Sequence, residues 1–382
     1  MKHLLGHHQS RWEPLAQAFD DLFERGDDLG ASLALTVEGE LVLDHWGGWC
    51  DEARSRPWDR NTLTHVWSTT KTMTSLCALL LADRGELDLD APVAAYWPEF
   101  AANGKSGILV RDVLGHTSGV SGWEQPMSLA DLCDWERSTS LLAAQSPWWT
   151  PGSASGYHAL NYGHLVGELI RRVTGQKTGA FLAQEIAGPL GADFHIGLPP
   201  EHDGRVARVV PPPPTLIDMA GLDPAGPMVR TLANPAPDAS YSHREDWCRA
   251  DIGAANGHGN ARSVAQLQSI VACEGSLGGR RWLKPETVDR IFDVQARGID
   301  LVLGVPLCMG MGYGLPEPAT LPFIPEQRIC FWGGWGGSLV LVDVERRLCL
   351  AYMMNRMAPG VVGGPNAAVL VQALYACCAR AC

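Results

Sequence analysis

Apolar residues recur at spacings of three and four in some stretches and run alternately or continuously in others, and this divides the chain into helices and strands. Between Val66 and Gly85 the positions Met73, Leu76, Cys77 and Leu80 keep the helical period. They predict a helix that buries one face and stops at Gly85. Leu15, Phe19, Leu22 and Phe23 do the same within Trp12–Phe23. Further helices are predicted over Leu165–Val173 (ending at Gly175), Phe181–Leu190, Ser263–Cys273, Pro285–Phe292 and Ala367–Ala379. Ala31–Val37 and Leu41–Gly47 are short β-like runs on either side of Glu38-Gly39-Glu40, a hairpin signal. Arg328–Trp332, Ser338–Val344 and Leu348–Met354 read as three successive antiparallel strands. Pro199–Pro237, with Pro211-Pro212-Pro213-Pro214 inside it, reads as a long surface excursion of the kind that often walls a site.

Strands thus gather at both chain ends and helices in the middle. The expected fold class is α/β (α+β): one antiparallel sheet built from residues 1–86 and 255–382, flanked by helices, with a mostly helical domain inserted at 87–254. A site would lie in the cleft between them. The 382 residues, 46% hydrophobic and 19% charged, suit a globular chain of this size. A net charge of −12 argues against nucleic acid and anionic membrane as partners. The N-terminus shows neither signal peptide nor membrane span, and eleven scattered cysteines without a Cys-x-x-Cys pair fit free thiols, so a cytoplasmic setting is expected. The histidines have no metal-ligand spacing, so neither metal nor cofactor is expected. A homo-oligomer is left open.

Candidate chemistry begins at the mouth of the Val66–Gly85 helix. Ser68 and Lys71 are three residues apart, so hydroxyl and amine share a face. Free N–H groups and the positive dipole end stabilise a forming alkoxide there, and burial favours a neutral lysine able to take a proton. This is the Ser-x-x-Lys arrangement of serine β-lactamases and penicillin-binding proteins. The plainer alternative is a capping serine beside a solvated lysine. Tyr157 stands just ahead of a helix, where a phenol can enter a cleft or simply pack. His116, in Gly115-His116-Thr117-Ser118-Gly119, reads as part of a loop that closes a helix rather than as a base. Lys177-Thr178-Gly179 and Lys105-Ser106-Gly107 spell a β-lactamase signature, but neither is on a strand. Gly310, Gly312 and Gly314 lack the strand–turn–helix frame of a phosphate loop.

From about Ala31 to Met354 the chain resembles the class C β-lactamase and penicillin-binding-protein-like serine hydrolases, and more narrowly the family VIII carboxylesterases. Ser68-Thr69-Thr70-Lys71, Leu114-Gly115-His116-Thr117-Ser118-Gly119 and Trp332-Gly333-Gly334-Trp335-Gly336-Gly337 carry the resemblance. Two departures stand out. Tyr157-His158-Ala159 lacks the asparagine of Tyr-x-Asn, for which Asn161 is a substitute amide, and it stands about one residue farther from the following helix than the family's spacing, so Tyr162 is the fallback tyrosine for a shifted register. Trp332 occupies the place of a basic residue, and a neutral aromatic cannot pair with a substrate carboxylate. The resemblance implies an acyl-enzyme on Ser68, with Lys71 and Tyr157 sharing proton transfer and the N–H groups of Ser68 and Trp335 forming the oxyanion hole. Trp332, Gly333, Gly334, Trp148 and Trp149 are the expected substrate-binding residues. The implied activity is hydrolysis of small uncharged carboxylic esters. A β-lactamase, a D-amino-acid peptidase or amidase, an acyltransferase and a non-catalytic binding relative remain open alternatives.

Overall fold

The structure, a computed structural model, describes residues 4–213, 221–360 and 362–379; Pro214, which ends the proline run, and Cys382 lie outside them. Nine strands form one antiparallel sheet: β1 (Leu4–His8), β2 (Gly30–Val37), β3 (Glu40–Gly48), β4 (Ala296–Ile299), β5 (Pro306–Met309), β6 (Gly314–Leu315), β7 (Ile329–Gly333), β8 (Leu339–Asp343) and β9 (Leu348–Met354). Their order is β1-β3-β2-β9-β8-β7-β6-β5-β4, so strands from the two ends of the chain meet where β2 pairs with β9.

Both faces of the sheet's centre are covered, which is why β2 and β9 read as continuous apolar runs. On one face lies α4 (Ala261–Ala272), whose Ser269 Oγ is 2.7 Å from Thr36 Oγ1 and whose Ala261 N–H donates to Ser32 Oγ at 3.1 Å. On the other, α1 (Glu13–Glu24) packs against the terminal helix α5 (Pro365–Ala379), and Phe19 meets Tyr352 of β9 edge to face. Ser32 and Thr36 are four residues apart on β2 and so share the face that meets α4, as the two-residue strand period requires.

Four strands escape the hydrophobic pattern. β1 and β4 are the sheet edges and mostly exposed, so selection for apolar residues is weak there. β5 and β6 are four and two residues long; Gly310 and Gly312 belong to the turn between them, and Gly314 opens β6.

The Val66–Gly85 pattern becomes α2 (Thr70–Asp83), ended by Gly85 at φ +74°. It is not one-faced: every residue from Thr70 to Leu81 is buried. The polar positions that look solvent-facing in sequence are satisfied inside the protein. Thr74 Oγ1 donates to the Gly253 carbonyl at 2.6 Å and Ser75 Oγ to the Lys71 carbonyl at 2.7 Å. α2 packs between β7 of the sheet, α4, and α3 (Tyr162–Thr174) from the helical stretch. Residues 87–254 add no strand to the sheet among the described residues. The helix mouth therefore opens where sheet and helical stretch meet.

Candidate active site

The chain enters α2 through a strained turn. Trp67 has φ +48°, a left-handed conformation costly for a bulky residue, and Ser68 follows it. The turn is tied down by Ser338 at the start of β8: its Oγ donates to the Val66 carbonyl at 2.9 Å and lies 3.0 Å from Thr69 Oγ1. Gly334 completes the contact, because a Cβ there would stand 2.3 Å from the Val66 carbonyl oxygen. Trp335 packs edge-on against Trp67, with ring centroids 5.1 Å apart.

Lys71 is 1% exposed, and its Nζ has three neighbours: the carbonyls of Ala159 at 2.8 Å and Ala254 at 2.9 Å, and Ser68 Oγ at 3.2 Å. No carboxylate among the described residues stabilises its charge, and burial holds its pKa well below the ordinary lysine value. A neutral amine has two N–H groups and one lone pair. With the N–H groups on the two carbonyls, the lone pair faces the Ser68 hydroxyl.

Tyr157 is held over the same point. Its ring lies 4.7 Å from Lys71 Nζ, and its hydroxyl hydrogen-bonds with Ser68. Burial pushes the phenol pKa up, so the group stays protonated. The indole Nε1–H of Trp332, on β7, donates to the Tyr157 oxygen at 3.3 Å. A chain of contacts results: Trp332 N–H donates to Tyr157, the Tyr157 hydroxyl meets Ser68, and Ser68 Oγ meets Lys71 Nζ. His116 supports it from behind. It has φ +61°, stacks near Tyr157 and Tyr162 at 5.2 and 4.9 Å, and accepts the His158 N–H on Nδ1 at 3.0 Å. Burial holds its pKa well below the usual histidine range, so the ring is neutral packing, as the loop reading expects.

The backbone N–H groups of Ser68 and Trp335 donate to no acceptor among the described residues. Two free donors on adjoining turns suit a developing oxyanion.

The remaining expected residues divide. Trp332 is 3% exposed and committed to Tyr157, so it is not an open wall of a substrate pocket. Trp149 packs on Gly156, and its Nε1–H donates to the Ala154 carbonyl at 3.0 Å. Trp148 lies against Gly122 under the Arg230 guanidinium, 3.9 Å from its ring. Trp149 thus shapes the loop that carries Tyr157, and Trp148 packs against Gly122 and Arg230 instead. The fallback Tyr162 is engaged elsewhere, its hydroxyl 2.7 Å from Ser75 Oγ, and Asn161 Nδ2 donates to the Val120 carbonyl at 2.7 Å. Sequence reading misses Asp300. Fully buried, its Oδ1 accepts the N–H groups of Tyr157 at 3.0 Å and of Val302 and Leu303 at 2.9 Å each, fixing the Tyr157 backbone. A lone aspartate in a loop gives no signal of this.

Comparison with known proteins identifies the family and the fold. LipL of Mycobacterium tuberculosis, an esterase/beta-lactamase, is 34% identical over 376 residues, covering 94% of this chain and 85% of that protein. The solved structure of a family VIII carboxylesterase has a TM-score of 0.92 at 36% identity, covering 98% of this chain and 99% of the other. A penicillin-binding protein homologue from Caulobacter crescentus has a TM-score of 0.92 at 35% identity with the same coverage. The beta-lactamase family profile matches residues 15–374. Sharing both that profile and this fold over nearly its whole length, the chain belongs to the beta-lactamase family.

Proposed function

We propose that the protein is a serine carboxylesterase acting on small uncharged carboxylic esters through an acyl-enzyme on Ser68. The observation that carries this reading is the Lys71 amine, buried without a counter-ion and presenting its free position to Ser68 Oγ at 3.2 Å. Ser68 attacks the ester carbonyl and its proton passes to Lys71 Nζ. The N–H groups of Ser68 and Trp335 receive the oxyanion; each such donor is worth about 3 kcal/mol of barrier. When the adduct collapses, Tyr157 gives its proton to the leaving alcohol. Water then releases the acid by the same steps reversed. The depressed lysine and the raised phenol support this division of labour, with Lys71 as base and Tyr157 as acid.

The reaction would take place between a sheet domain of residues 1–86 and 255–382 and a helical domain of residues 87–254. With an indole and not a cation at position 332, no positive charge stands there to pair with a substrate carboxylate, which favours uncharged substrates. The esterase names of LipL and of the family VIII carboxylesterase support the same class. Free thiols at the described cysteines agree with a cytoplasmic setting. No helix among the described residues is long and apolar enough to cross a membrane.

Turnover of p-nitrophenyl acetate and butyrate by wild type and Ser68→Ala tests the reading. A folded Ser68→Ala protein should lose about 10⁴-fold or more in kcat. Equal activity in the two would remove Ser68 from the chemistry. Turnover of a chromogenic cephalosporin but of neither ester would transfer the site to β-lactam substrates.

A further inference from the structure

The Trp332–Tyr157 contact goes further than the shape of a wall. At 3.3 Å it is a long hydrogen bond to a neutral phenol oxygen. The ring has little freedom to turn away. It is 3% exposed and stacks on His116 at 6.3 Å with planes 24° apart. On its other side is Gly314, where a Cβ would fall 2.9 Å from the indole Cε3. Opposite Trp332 in the ladder stands Val340 of β8. The N–H is therefore a fixed donor on an oxygen that carries little charge at rest.

That oxygen acquires charge in only one step. Ser68 Oγ bonds to the carbonyl carbon and its proton goes to Lys71. The bond from that carbon to the leaving oxygen then breaks, and the electron pair stays on the leaving oxygen. This oxygen takes the Tyr157 proton, leaving a phenolate beside the Lys71 ammonium. A later proton transfer from Lys71 to the phenolate restores both groups. An N–H donor binds a phenolate more strongly and at shorter range than a phenol. The Trp332 bond thus strengthens as proton donation proceeds, and an interaction stronger in the transition state than in the ground state raises kcat.

Resting on the esterase reading, we propose that Trp332 is a positioning residue that acts through Tyr157 and sets which leaving alcohols the site can expel. A p-nitrophenolate leaves with little need of a proton. An alkoxide does not leave without one. The indole N–H is therefore a specificity determinant for alkyl esters, a role distinct from contact with the substrate.

The test compares ethyl butyrate with p-nitrophenyl butyrate, which share an acyl group and differ in leaving group. In Trp332→Phe the ring stays and the donor goes. The loss of kcat should be about tenfold or more greater for the ethyl ester, a tenth or less of what a positioned acid contributes. KM should move little for either ester. In a Tyr157→Phe background, Trp332→Phe should add almost nothing for the ethyl ester, because the group it serves has gone. Equal losses for both esters, a loss confined to KM, or full additivity with Tyr157→Phe would overturn the proposal. Should Trp332→Phe not fold, the wild type decides through a series of butyrate esters of increasingly basic alcohols. A shallow fall of kcat along the series is expected, and a steep one rejects an assisted departure. An active Ser68→Ala protein would instead sink the esterase reading beneath the proposal.

Discussion

Among the described residues two buried lysines have no carboxylate partner, and the contrast between them separates chemistry from architecture. Lys105 donates to the carbonyls of Ala102 at 2.8 Å, Ala143 at 3.0 Å and Gln145. All three N–H groups of an ammonium are used, and its pKa, lowered by burial to about 8, keeps it charged at neutral pH. It ties the end of one short helical turn to the loop before Trp148. Lys71 has the same kind of environment with one substitution: two carbonyls and one hydroxyl. A carbonyl only accepts, so three of them demand the ammonium. A hydroxyl also donates, so the neutral amine is equally well satisfied at Lys71. On the proposed mechanism, one oxygen changed from carbonyl to alcohol turns a clip into a base.

The sharpest way to break this contrast is to remove each amine in turn. Lys71→Met should lower kcat for p-nitrophenyl butyrate by about 10³-fold or more, with the fold retained. Lys105→Met should leave turnover per folded molecule near wild type. Its effect falls on stability, where three buried carbonyls lose their donor at a cost of about 3 kcal/mol, read from urea denaturation midpoints. An inactive but undiminished Lys105→Met protein, or an active Lys71→Met protein, would erase the distinction.

The sequence reveals the Lys71 half of this comparison because it is local. Ser68 and Lys71 meet through helix spacing alone, and the motif is readable before folding is considered. What suits the amine to the proposed role of base is not readable. The Ala159 and Ala254 carbonyls are backbone atoms and leave no trace in residue type, and they come from 88 and 183 positions away. The choice between Tyr157 and Tyr162 likewise depends on tertiary contacts, since Ser75 claims the Tyr162 hydroxyl. Trp332 is recognisable by position, yet its partner is 175 residues distant, which hides its hydrogen bond behind a reading as pocket wall. In the fold, continuous apolar strands such as β2 and β9 announce themselves. The exposed edges β1 and β4 have no buried face to announce.

The smallest expected effect is the most discriminating, because it asks both lysines the same question with protons. At Lys105 the folded-state pKa, about 8, lies below the ordinary value of 10.5 that the unfolded chain keeps. Between those values the unfolded state holds more protons, so stability rises with pH; the contribution is complete above 10.5 and is lost as pH falls through about 8. The stability gap between wild type and Lys105→Met should therefore widen modestly from pH 7 to pH 10. Lys71 should register in rate instead. Its pKa is held well below the lysine value by complete burial, and the proposed proton acceptor must be neutral, so kcat/KM should fall on the acid side at a pH well below the lysine range. That limb should stay in place in Lys105→Met. A limb that moves with Lys105, or a stability gap flat across pH 7 to 10, would mean that the two amines do not divide base from clip as their three oxygens imply.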